Sequence, residues 1–177
     1  NMLTGIFRAN ITLFNQISLP FELYVSTQKT QFQQPFNQFG VSPRISKWLT
    51  LHAGYFSTQF SELSFGDLRM LGGGFELTPG KFRLKAIYGK SRFAVKPNAE
   101  TYMPGIYSQM AYAASIGYGD ESKTYFNINL FHAIDDSASI IRDSATVSPA
   151  ENLVGTVSFG IQVIPALSFR GEAGISA

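Results

Sequence analysis

Apolar and polar residues alternate with period two along most of the chain, and helical periodicity is nearly absent. The alternation predicts strands at roughly 5–15, 20–29, 36–42, 47–58, 70–78, 81–92, 107–118, 123–135, 151–163 and 166–176. In each, one face is apolar and the other polar, small or charged. Phe7, Ala9, Ile11 and Leu13 oppose Arg8, Asn10 and Thr12, and Phe21, Leu23 and Val25 oppose Glu22, Tyr24 and Ser26. Leu71, Gly73, Phe75 and Leu77 oppose Gly72, Gly74 and Glu76. Phe126, Ile128 and Leu130 oppose Asn127 and Asn129. Leu167, Phe169, Ala173 and Ile175 oppose Ser168, Arg170 and Glu172. The weakest stretch is 36–42, which is short and stops at Pro43.

The connections alternate in length. Short ones with turn residues fall near 16–19, 43–46, 79–80, 119–122 and 164–165; longer, polar ones fall near 30–35, 59–69, 93–106 and 136–150. A soluble sandwich has no reason to gather every long loop at one end. A transmembrane antiparallel up-and-down β-barrel of the outer membrane does, with short periplasmic turns and long loops at the cell surface. The expected fold is therefore all-β, with residues 1–177 forming a single barrel domain in a lipid bilayer. In that orientation both chain ends lie outside, and the sequence stops in mid-pattern at GEAGISA without a terminal aromatic. The expectation is then a fragment of a larger barrel, of twelve or more strands.

Rings on the apolar face cluster toward strand ends. Phe21, Phe82 and Tyr118 lie beside short turns; Phe7, Tyr55, Tyr88 and Tyr112 lie toward long loops. Two belts of this kind suit the two membrane interfaces. Phe82 to Tyr88 spans roughly 15 Å along the normal on a tilted strand. The apolar band of such barrels is nearer ~25 Å, so the belts are thick or sit inside the hydrocarbon edge. The same rings also suit the core of a soluble β protein. On the polar face, Arg8, Glu22, Glu76, Arg83, Lys85, Arg170 and Glu172 point into the expected lumen. Isolated charge in a dry core is costly, whereas water accepts it. A cross-strand pair such as Arg83 with Glu76 would add rigidity. The balance of signs predicts weak ion selectivity if the lumen is open.

Composition agrees without deciding. Of 177 residues, 15% are charged and 14% aromatic, and mean hydropathy is +0.03. No apolar run nears the roughly 18 residues of a spanning helix. A net charge of +2 gives no argument for nucleic acid. The absence of cysteine excludes disulfides and thiolate metal sites. The opening NMLTGIFRAN lacks signal-peptide features, so a signal for export is expected to lie upstream or to have been removed. Candidate chemistry is sparse. His132 with Asp135 and Asp136 suggests a rim hydrolase, but fits an ordinary polar strand end better. His52 fits a hydrogen-bonded lumen residue. LGGGFE (71–76) lacks the Lys-Ser/Thr of a phosphate loop; its glycines suit close packing or sharp bending of a strand. No catalytic, cofactor-binding or metal site is predicted.

Two stretches, QPFNQFGVSPRISKWLTLHAGY (34–55) and LGGGFELTPGKFRLKAIYGK (71–90), cover about a quarter of the chain. Their N-x-F-G-x-S-P, K-W-x-T-x-H-A-G-Y and G-x-G-x-E-L-x-P-G-K-x-R patterns resemble outer-membrane β-barrel proteins of Bacteroidota. The resemblance implies location and architecture and no catalytic residue. It also implies that envelope protein subunits are possible partners, since barrels of that phylum serve in uptake, secretion and assembly complexes. The expected function is a non-catalytic, porin-like channel or scaffold. The alternatives are an accessory subunit of an envelope complex and a soluble, lipocalin-like binder.

Overall fold

A computed structural model describes residues 4–13, 17–26, 38–60, 68–97, 105–140 and 148–177. The described residues form eleven strands and no helix. They are β1 (Thr4–Leu13), β2 (Ile17–Ser26), β3 (Gln38–Val41), β4 (Arg44–Ile45), β5 (Leu49–Thr58), β6 (Leu68–Leu77), β7 (Phe82–Arg92), β8 (Ser108–Gly119), β9 (Tyr125–Asp136), β10 (Glu151–Ile164) and β11 (Leu167–Ser176). All belong to one antiparallel up-and-down sheet in the order β1-β2-β3-β5-β6-β7-β8-β9-β10-β11, with β4 also between β2 and β5. The sheet is not closed: among the described residues β1 pairs only with β2, and β11 only with β10.

Two expected turns are parts of strands. In place of a turn at 43–46, β3 resumes as β4 after Ser42 and Pro43, and the turn comes at 46–48. Pro43 has no N–H, which interrupts the ladder, but its carbonyl still accepts the Leu51 amide at 2.9 Å. Likewise Ser18, Leu19 and Pro20 lie inside β2, where the Pro20 carbonyl accepts the Ser42 amide at 3.2 Å. In both cases the proline acceptor still binds, so the strand continues past the missing donor.

The inner face carries a seam of small residues across six strands. Gly40 opposes Gly54, which opposes Gly72, then Gly89, Ala111 and Ala133. A Cβ on Gly72 would fall on the Tyr88 carbonyl and 2.5 Å from Gly89 Cα. Gly54 has φ 85°, a conformation that side-chain-bearing residues rarely adopt. Here β5 bends sharply. The rings of His52 and Phe56 stack with centroids 5.0 Å apart. Residues four apart on an extended strand would stand about 13 Å from one another. The inner face is apolar on both sides of the seam, with Phe56 and Met70 toward the long loops and Ile87 and Phe131 toward the short turns. Phe56, Met70, Ile87 and Phe131 pack around Ala111, Ala113 and Ala133, with Phe60 and Val154 against them. Met70 is 1% exposed. The polar inner face expected along whole strands is thus interrupted at mid-strand by an apolar cluster.

Candidate functional site

On the short-turn side of the apolar cluster the inner face is a network of ion pairs. The hairpin between β6 and β7 sets Glu76 opposite Lys85. Lys85 Nζ lies 3.1 Å from Glu76 Oε1. Arg83, expected to pair with Glu76, lies two positions nearer the turn. It instead donates to Asn127 Oδ1 at 2.6 Å and to the Gly119 carbonyl, and meets Glu121 at 3.2 Å. Because β5 bends, its end returns over this network. Thr58 Oγ1 donates to Glu76 Oε1 at 3.1 Å, and Lys85 donates to the Gln59 carbonyl at 2.9 Å. The Lys85 ammonium also sits 5.1 Å from the Phe60 ring centroid. His52 lies on the same face, bonded to Ser42 Oγ at 2.9 Å and 3.3 Å from Glu76.

The sheet curls enough that β6 and β11 share one space. Glu76, Arg83, Lys85, Arg170 and Glu172 all line a cavity of about 670 Å³. Of the remaining residues expected inside, Arg8 opposes Glu22 in the β1–β2 register, far along the sheet order from this cavity. The Glu22 side chain lies outside the described residues, as does that of Phe21.

The outer face is apolar and uncovered. Phe7, Ile116, Ile128, Leu130, Val163 and Phe169 are among its exposed side chains, with Ile128 47% exposed. The expected rings meet in pairs: Phe82 opposes Tyr118, and Tyr88 opposes Tyr112 with centroids 4.8 Å apart. The first pair extends through Phe126 to Phe159, a row across four strands. Phe126 and Phe159 are legible as apolar-face residues, but their alignment with Phe82 depends on register. Tyr55 stacks on Phe93 at 6.3 Å.

His132 and Asp135 fall on opposite faces of β9. His132 stacks on Tyr112 and meets Glu151 Oε1 at 2.8 Å. Asp135 turns inward and binds Arg92 at 2.6 Å and Gln109 at 3.0 Å. The two share no site. Among the described residues no group of three or more His, Asp or Glu side chains gathers as a metal site would require. Comparisons with protein-family models, curated proteins and solved structures gave no match.

Proposed function

We propose that the chain is the membrane-spanning sheet of an outer-membrane β-barrel with a non-catalytic scaffold or channel role. One observation carries this reading. The convex face exposes large apolar side chains on every long strand from β5 to β11, while the Glu76–Lys85 and Arg83–Glu121 ion pairs lie on the concave face. Soluble monomers rarely expose contiguous apolar patches above a few hundred Å². A bilayer is the solvent that suits such a face. Strands of ten to fourteen residues have the length a tilted crossing needs. In hydrocarbon, free strand edges are untenable, so closure is part of the proposal: β1 and β11 pair with each other or through further strands.

Within this reading, the inner face favours a scaffold over an open pore. The apolar cluster occupies the middle of the concave side, and the returning end of β5 covers its short-turn half. A subunit role in an envelope complex, as the resemblance to Bacteroidota barrels implies, fits a filled interior equally well. Phase partition tests the membrane reading. The full chain is expected in the detergent phase, and recovery from the aqueous phase without detergent would favour the soluble, lipocalin-like binder.

A further inference from the structure

Among the described strand residues, the outer face is free of acidic and basic side chains except at its long-loop end. By register, those that point outward there are Arg69, Lys90, His132, Asp136 and Glu151. The acidic ones are engaged. Glu151 pairs with His132, and Asp136 Oδ1 accepts the Ala138 amide in its own turn. Arg69 and Lys90 have no carboxylate within ion-pair distance among the described residues. They are neighbours, since Lys90 opposes Leu71, two positions from Arg69 on β6. Rings surround them: Lys90 Nζ lies 5.3 Å from the Phe93 centroid, Phe93 stacks on Tyr55, and Arg69 is within electrostatic reach of Tyr55.

We infer that Arg69 and Lys90 form a binding site for the phosphate of an anionic lipid headgroup, with the Tyr55 hydroxyl as a further donor. The inference rests on the membrane reading and deepens it. Two adjacent cations at the border of an apolar face attract negative charge at that depth, and the phosphate plane of a lipid leaflet supplies it. The patch continues into the apolar face through Leu71 and Tyr88, which acyl chains of the same lipid would cover. A soluble phosphate compound would use the charges and leave that surface bare.

The test uses the full chain in mild detergent, titrated with phosphatidylglycerol or phosphatidylcholine, with retained lipid counted by native mass spectrometry. Wild type is expected to retain phosphatidylglycerol about tenfold better. Arg69→Gln with Lys90→Gln abolishes the preference, and Arg69→Lys with Lys90→Arg restores it. Lys81→Gln with Lys123→Gln, at the short-turn end, leaves it intact. Equal retention of both lipids by wild type overturns the inference, as does a preference that survives the first double variant or falls equally in the last. The two failures separate cleanly. A chain that stays in water without detergent defeats the membrane reading; one that enters detergent with no headgroup preference defeats only this site.

Discussion

Ile128 and Asn129 are neighbours on β9 with opposite surroundings. Ile128 is nearly half exposed on the apolar face, while Asn129 is 3% exposed and donates to Thr156 Oγ1 at 3.1 Å. Ile128→Arg is expected to cost about 2–4 kcal/mol at the bilayer midplane. Ser158→Lys, on the cavity side opposite Glu172 in register, should stay within about 0.5 kcal/mol. Urea titration of the chain in vesicles measures both, and equal costs would remove the distinction between faces. In the β8–β9 turn, the Ser122 hydroxyl donates to Asp120 Oδ1 at 2.7 Å and its amide at 2.9 Å. These bonds hold the Asp120 carboxyl below its ordinary pKa. A depressed folded value means the turn's stabilisation is present above the unfolded pKa and lost as pH falls through the folded one. An NMR titration should show a low midpoint for Asp120, and Ser122→Ala should return it toward normal. Period two makes these face assignments legible residue by residue. It does not give partners: Arg83 meets Asn127 and Glu121 because of where β8 and β9 lie, which no local pattern encodes.

At the scale of elements, the hinge of β5 governs how the inner face fills. The bend at Gly54 brings Thr58, Gln59 and Phe60 onto Glu76 and Lys85. Its partner Gly72 has only backbone to offer a new Cβ, and backbone cannot step aside. Gly72→Val should therefore cost about 1–3 kcal/mol, or block refolding, through overpacking. Gly155→Ala is the control, because its Cβ would meet only Ile175 Cγ1 at 4.0 Å, and it should be nearly neutral. Heat-modified gel mobility and urea midpoints report both. The run LGGGFE points to close packing or bending by itself, because three adjacent glycines offer a strand no side chains to pack. Gly54, alone in its strand, gives no such signal; its importance comes from standing opposite Gly40 and Gly72. The prolines mislead for a related reason. Pro20 and Pro43 suggest turns, yet each sits where its carbonyl, not its absent N–H, does the binding.

At the scale of the molecule, the alternation of short and long connections foretells the up-and-down order of the whole sheet. The filling of the concave side is not legible, because Phe56, Met70, Ile87 and Phe131 come from four strands and meet only after the sheet curls. The central claim is that the convex face meets acyl chains. The chain has no cysteine, so a single one placed at Ile128 or at Ser158 carries one fluorophore at a known site. In vesicles whose lipids are brominated on the acyl chains, the label at 128 should be strongly quenched and the label at 158 little affected. Comparable quenching at the two sites, or none at 128, would contradict the account.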